Sequence, residues 1–193
     1  MNRAMDSFAL EGVKHEPTMR DRLVFLLRGA GVKRFHTAKV IQENTVAHHS
    51  CLVAWFIVLL SDEQPRAELL LAALAHDKAE QITSDIATPA KRLLGIRKLL
   101  REKENEVLGR FGFEYEYLLT PDEERTLGLA DAMDGMLFCI SERMLGNRFI
   151  EYTFQTFYSY ISDAVTTPKE QAVMSALTSL WEDAIDGNFN EGN

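Results

Sequence analysis

The chain has 193 residues, 46% of them hydrophobic, and a net charge of −8 from 21 Lys and Arg against 29 Asp and Glu. This length predicts a single domain over residues 1–193, and the hydrophobic fraction excludes a natively disordered chain. The acidic balance disfavours binding to a nucleic-acid polymer, because few cations offset the repulsion of its phosphates. A small anionic substrate remains possible if cationic side chains gather in one pocket.

The chain is expected to be cytoplasmic, or to work in the host cytoplasm if its source is viral. Residues 1–10 lack the apolar stretch of a secretory signal. The longest apolar run, residues 52–60, is far shorter than the ~20 residues that cross a membrane, so no membrane association is expected. Cys51 and Cys139 lie in apolar runs outside any paired-Cys motif, which predicts buried free thiols.

Threonine caps predict where several helices begin. Thr120 is followed by a first-turn proline and by Glu123, and Thr167 is followed in the same way by Glu170. A threonine N-cap with an acid three residues later satisfies the free backbone N–H groups of a helix start. Thr18 begins a weaker version of the same pattern.

Between these caps, apolar residues recur with a spacing near 3.6 residues, which is typical of amphipathic helices. No alternating strand pattern is found, and Asp134-Gly135 lies inside a helical pattern rather than in a hairpin turn. Helices are predicted near residues 18–29, 45–61, 65–82, 91–109, 121–145, 148–163 and 168–186. We therefore expect an all-α bundle with a core at about 18–163, a C-terminal helix at 168–186 and a frayed tail at 187–193.

The dipeptide His76-Asp77 ends or interrupts the apolar run of residues 69–75. A charged aspartate in such a run is costly unless something compensates for it, and a divalent metal would do so. Imidazole nitrogen and carboxylate oxygen both suit first-row divalent ions. The dipeptide by itself is weak support, because His-Asp pairs also occur by chance.

Two further polar intrusions strengthen the case for a metal. His49 begins another strongly apolar helix, and Asp131 lies in an apolar helical face. His49 could instead bond to backbone at a helix N-terminus, and Asp131 could be a half-buried acid paired with an arginine. Together, these alternatives would require three unrelated polar intrusions into three apolar helices.

A histidine, a His-Asp pair and a distant aspartate, all on helices, resemble the HD superfamily of metal-dependent phosphohydrolases. Residues 34–37 (RFHT) with 43–50 (ENTVAHHS), and residues 76–80 (HDKAE) with 85–91 (DIATPAK), look like segments of the YfbR-like deoxynucleotidases. The resemblance covers roughly residues 20–145 and implies an HD-type fold. The short chain and its RFHT segment also look like the phage dATP triphosphohydrolases.

The resemblance implies roles for individual residues. It makes His49, His76, Asp77 and Asp131 the ligands of a divalent Co, Zn, Mn or Mg ion, with His49 favoured over its neighbour. Glu80 stands one turn after His76 and would manage the proton of a water molecule, assisted by Asp85. The substrate-binding set that the resemblance implies is Arg34, Phe35, His36, Thr88 and Lys91.

Within that set, Arg34 and Lys91 would hold phosphate, since guanidinium offers a planar fork and ammonium a compact charge. Phe35 stands where the relatives use tryptophan to cover the nucleoside, and this difference puts the base preference in doubt. His36 could contact the sugar or base, or be an ordinary turn residue. Thr88 would shape the loop before Lys91.

The expected activity is a metal-dependent dATP or dNTP triphosphohydrolase that releases a deoxynucleoside and triphosphate. One alternative is a 5′-deoxynucleotidase acting on monophosphates, and another is a non-catalytic HD domain that binds nucleotide as a regulator. An all-α interaction module is a further alternative, supported by the aromatic stretch of residues 149–160. This stretch also suggests a homo-oligomer, either a dimer or a hexamer.

Overall fold

The computed structural model of the protein describes residues 16–187. It is almost entirely helical, which confirms the all-α prediction. The helices are α1 (Met19–Ala30), α2 (Val46–Leu60), α3 (Ala67–Ala75), α4 (Glu80–Thr83), α5 (Thr88–Leu93), α6 (Arg97–Phe111), α7 (Pro121–Met144), α8 (Glu151–Ala164) and α9 (Pro168–Asp186). The predicted frayed tail, except residue 187, and the segment without a secretory signal lie outside the described residues.

The capping signals correctly predict three helix starts. Thr18, Thr120 and Thr167 each accept a hydrogen bond from the backbone N–H three residues later, and the acid at that position bonds back to the cap. These contacts involve neighbouring residues alone, so local sequence is enough to specify them.

Helix α7 forms the centre of the molecule. It packs against α2, α8 and α9, and its buried face includes Leu129, Met133 and Met136. A second, smaller core lies under α1 and α6 and includes Phe25 and Leu108. Within residues 16–187, no helix is both long enough and apolar enough to cross a membrane.

Two predicted helices are broken. The helix predicted at 65–82 divides into α3 and α4, and residues 76–79 form turns between them. Here the N–H of Lys78 donates to the carbonyl of Ala75, and the N–H of Glu80 donates to the carbonyl of Asp77. These hydrogen bonds span three residues, as in a 3₁₀ turn, instead of the four of an α-helix. The helix predicted at 91–109 divides into α5 and α6, because Gly95 adopts a positive φ of 65°.

One element was not predicted at all. Residues Lys33–Arg34 (β1) and Asn44–Thr45 (β2) form a two-residue antiparallel pair, with Arg34 opposite Asn44. Strands this short give no periodic signal. The pair places Arg34 beside the first turn of α2, which carries His49. Of the two predicted buried thiols, Cys139 is buried but Cys51 is exposed.

Candidate metal centre

Four potential ligands from three parts of the chain converge at one point. Nε2 of His49 lies 3.1 Å from Nε2 of His76. It lies 3.2 Å from Oδ2 of Asp77 and 3.3 Å from Oδ1 of Asp131. His76 and Asp77 also approach each other, with 3.4 Å between Nε2 and Oδ1. His49, His76 and Asp77 form a compact group able to hold a metal ion, and Asp131 is at its edge.

These distances fit a shared cation. Ligands bound about 2.0–2.2 Å from a metal lie about 3.3–3.6 Å from one another in a four-ligand site. The distances among His49, His76 and Asp77, and from His49 to Asp131, are close to this. Carboxylate oxygens held so near imidazole nitrogens, with several acids together, form the donor set that first-row divalent ions prefer. The residues present therefore fit a divalent metal.

Local structure directs both imidazoles toward this point. Thr45 caps α2, and His49 follows in the first turn, where it is completely buried at 0% exposure. Nδ1 of His76 is 2.8 Å from the carbonyl oxygen of Ala73, which turns the opposite ring nitrogen toward the cluster. His48, which the sequence disfavoured as a ligand, is exposed.

Asp134 is a buried acid of this site that the sequence analysis did not select. Its Oδ2 lies 2.6 Å from Nδ1 of His49, on the ring edge opposite the potential ligands. It is at 0% exposure and follows Asp131 by three residues, so both acids project from one face of α7. That spacing was the available signal, but the sequence predicted only that Asp134-Gly135 lies in a helix rather than in a hairpin turn, and it gave Asp134 no role.

Arg34 lies among three acids. Its guanidinium contacts Asp134 at 3.3 Å and Asp131 at 3.4 Å, and its Nε is 3.9 Å from Asp77. The side chain is largely buried. The structure thus places the predicted phosphate-binding arginine at the metal cluster itself, where it offsets the negative charge of the carboxylates.

The charges in the cluster shift the pKa values of its members. Burial and Arg34 lower the pKa of His49, but hydrogen bonds to Asp134 and Asp77 outweigh them and raise it to about 9. Burial acts to raise the pKa of Asp77, yet His76, His49 and Arg34 hold it well below its usual range. The metal-free cluster therefore carries a protonated His49 against an ionised Asp77.

Glu80 and Lys91 lie next to the cluster, with 3.7 Å between Nζ and Oε1. Glu80 is buried, and its Oε2 has no hydrogen-bond partner among residues 16–187. Burial, followed by the charges of Asp77 and Asp85, raises the pKa of Glu80 to about 9. A protonated acid beside a metal-type cluster is a group able to donate a proton.

The other predicted substrate residues differ in their positions. His36 approaches Asp85, with 3.7 Å between Nδ1 and Oδ2. Phe35 has a positive φ of 56° and its ring stacks on Phe138 of α7 at a centroid distance of 4.5 Å. Thr88 is an exposed residue at the start of α5. Its role in shaping the loop before Lys91 stays a prediction.

The model of the YfbR-like 5′-deoxynucleotidases matches residues 23–183. The chain belongs to this family. As a YfbR-like protein it is an HD-type metal-dependent phosphohydrolase of deoxynucleotides, which confirms the predicted enzyme class. The roles of individual residues remain predictions. No curated protein sequence matches the chain.

Solved structures similar to this YfbR-like chain include three from different sources. PH0347 from Pyrococcus horikoshii OT3 is 20% identical, with 85% of this chain and 99% of that chain covered and a TM-score of 0.64. The cyanophage S-2L HD phosphohydrolase DatZ, bound to dA and one catalytic Zn²⁺ ion, is 20% identical, with coverages of 85% and 96% and a TM-score of 0.62.

The third is an HD-domain phosphohydrolase, lin2634, from Listeria innocua. It is 22% identical, with 87% of this chain and 92% of that chain covered and a TM-score of 0.65. At these identities the likenesses show a shared fold, and they confirm the predicted HD-type helical architecture.

Proposed function

We propose that the chain hydrolyses the phosphoester bond at the 5′ oxygen of deoxynucleotides, with dATP and other dNTPs as the leading substrates. The products would be a deoxynucleoside and triphosphate. The observation that carries the proposal is the grouping of His49, His76 and Asp77, with Asp131 at its edge and the buried Glu80 beside them. The HD fold shared with DatZ, which was solved with dA, supports a deoxyadenosine nucleotide as substrate. The choice of a triphosphate rests on the likeness of the short chain and its RFHT segment to the phage dATP triphosphohydrolases.

A bound divalent cation would act as a Lewis acid and lower the pKa of the attacking water. The four donor residues would hold it. Glu80 would give its proton to the departing 5′ oxygen as the phosphorus–oxygen bond breaks, and Asp85 would orient the incoming water or accept its proton. Arg34 and Lys91 would offset charge that develops on the phosphate oxygens.

A deoxynucleoside monophosphate is the second candidate substrate, and the family description favours it. The supply of cations favours it too. Arg34 is shared among carboxylates, and Lys91 is near Glu80. Lys78 is buried with Nζ 3.5 Å from the hydroxyl of Ser50 on α2. A monophosphate carries less charge than a triphosphate and needs fewer cations to bind it.

Product analysis tests the proposal and separates the two substrates. The chelator-treated chain is incubated with a panel of dNTPs and dNMPs after addition of Co²⁺, Zn²⁺, Mn²⁺ or Mg²⁺, and products are resolved by ion-exchange chromatography. We expect metal-dependent release of deoxynucleoside and triphosphate from dNTPs. Release of phosphate from dNMPs alone would select the second candidate, and no turnover with any metal would contradict the proposal.

We also propose that the chain forms a homo-oligomer, either a dimer or a hexamer. Support comes from apolar side chains that are more than half exposed, including Phe149, Tyr152 and Tyr160 near or on α8, and Leu27 and Trp55 on α1 and α2. Groups of such side chains often mark subunit interfaces. Light scattering coupled to size exclusion should give a multiple of 21.9 kDa, and a monomer mass would contradict this.

A further inference from the structure

Asp134 lies beside the candidate metal ligands, but it is not part of the sequence motifs from which those ligands were predicted. It is completely buried on α7, one helical turn after Asp131. Its Oδ2 is 2.6 Å from Nδ1 of His49 and 3.3 Å from Nη1 of Arg34. Its Oδ1 is buried and has no hydrogen-bond partner among residues 16–187.

A buried carboxylate needs partners that replace its lost hydration. His49 and Arg34 both approach Oδ2 of Asp134. Both belong to the site, because His49 is a candidate ligand and Arg34 also contacts Asp77 and Asp131. Charge-assisted hydrogen bonds of this kind are short and directional. Asp134 therefore links the buried end of His49 to Arg34 through one atom.

The orientation of His49 assigns a chemical role to this contact. A neutral imidazole carries one ring N–H and one free lone pair. Nε2 of His49 faces His76 at 3.1 Å and Asp77 at 3.2 Å, so Nε2 must offer its lone pair if the ring is to hold a cation. The ring proton then lies on Nδ1, where Asp134 can accept it.

We propose that Asp134 is a positioning residue for the metal centre, an inference that rests on the proposed role of His49 as a ligand. By accepting the Nδ1 proton, Asp134 holds the ring in the tautomer and orientation that leave Nε2 free for a cation. It also makes Nε2 a stronger donor. Loss of such a partner typically weakens metal binding by about 10–100-fold.

Metal titration tests this without relying on turnover. The chelator-treated full chain is titrated with Mn²⁺ by calorimetry, and bound Co²⁺ is followed by its visible absorption. Asp134→Asn should bind metal about 10–100-fold more weakly than wild type and change the Co²⁺ spectrum. The matched control is Asp122→Asn, which alters an exposed acid at the start of the same helix and should change neither quantity.

A purely structural role predicts a different result. Turnover by Asp134→Asn should recover toward wild type when the metal concentration exceeds the weakened Kd, whereas a distorted fold would not be rescued. Urea unfolding of each variant checks that it is folded. Wild-type metal affinity in folded Asp134→Asn would overturn the inference.

Asp77→Asn separates this inference from the proposed function. If Asp77→Asn binds metal as tightly as wild type, the proposed metal centre itself is wrong. If Asp77→Asn loses binding while Asp134→Asn keeps it, the role of Asp134 alone is wrong. Should Asp134→Asn fail to fold, nitrogen-15 NMR of the zinc-loaded wild type decides: a His49 Nδ1–H that exchanges rapidly with water would overturn the inference.

Discussion

Helix α7 carries two clusters of charged side chains that differ in how completely their charges and hydrogen-bonding atoms are paired. Near its start, Arg125 makes a two-point contact with Glu170 of α9, at 2.7 and 2.8 Å. The same arginine donates to the carbonyl of Ala164, and Oε2 of Glu170 accepts the N–H groups of Thr166 and Thr167. One positive charge meets one negative charge here, and the surrounding polar atoms pair with them.

Roughly two turns further along α7, the cluster of candidate metal ligands around Asp131 and Asp134 is not balanced in this way. The acids outnumber the cations around Arg34, and buried oxygens of Glu80 and Asp134 have no hydrogen-bond partner among residues 16–187. The pKa values of His49 and Glu80 are both raised to about 9. Paired, saturated charge is typical of a structural contact, whereas converging unsaturated donors indicate a binding site.

The largest expected effect is on the metal-type cluster. Asp77→Ala removes a donor that approaches both imidazoles, so metal binding and deoxynucleotide turnover should fall to background, a loss of more than about 100-fold. Calorimetry and product chromatography measure the two quantities. The control is Glu170→Gln in the balanced cluster of Arg125 and Glu170, and it should keep wild-type metal binding and turnover. Turnover by Asp77→Ala equal to wild type would contradict the proposed difference between the two clusters.

Glu80→Gln should lower turnover on the order of 10²–10⁴-fold, because glutamine cannot transfer a proton. Metal affinity and folding should change little, since glutamine has nearly the shape of glutamic acid and burial raises the pKa of Glu80, which favours its neutral form. Glu104→Gln is a matched control: Glu104 is another partly buried acid, bonded to Thr83 at 2.8 Å. Equal losses in both variants would contradict a catalytic role for Glu80.

Metal affinity should depend on pH through His49. The pKa of His49 is about 9 in the metal-free chain, and an imidazolium must lose its proton before it can bind a cation. Affinity for Mn²⁺ should therefore rise by about tenfold per pH unit from pH 7 toward 9 and then level off. Calorimetry in buffers of different ionisation enthalpy counts the released proton. An affinity that is constant over this range would contradict the prediction.

The smallest effect is expected in the balanced cluster. Glu170→Gln should lower the free energy of unfolding by about 1–2 kcal/mol, because a two-point ion pair between the buried Glu170 and the partly exposed Arg125 is broken. Arg125 lowers the pKa of Glu170 to about 2. This contribution is therefore complete above pH 4.5 and is lost as the pH falls toward 2. Urea unfolding at pH 7 and pH 3 should show a smaller difference between variant and wild type at the lower pH.

The sequence predicted many residues of the candidate site but little of how their side chains pair. His49, His76, Asp77 and Asp131 stood out because polar residues in apolar helices are unusual. The structure groups donor atoms of the first three and places Asp131 3.3 Å from His49. Arg34 was assigned to phosphate, yet its contacts are with carboxylates. A side chain of that length can reach many partners, and its choice depends on residues about 100 positions away.

The helix ends and breaks also divide into those that local sequence predicts and those that depend on distant residues. Capping boxes such as Thr120 with Glu123 were predictable because their partners lie within one turn. The turn at residues 76–79 was not, since the apolar spacing continues through it. There the backbone leaves the α-helical conformation, and two side chains make contacts with α2: His76 with His49, and Lys78 with Ser50.

By itself, the sequence determined the all-helical class and three capped helix starts, because these depend on periodicity and near neighbours. The phosphohydrolase class came from the resemblance of its motifs to the HD superfamily. Only the tertiary structure decided that Asp134 meets His49, which lies 85 residues earlier in the chain. It also decided which acids surround Arg34 and where α3 ends. Such pairings follow from how α2 and α7 pack, and packing joins residues whose spacing along the chain carries no signal.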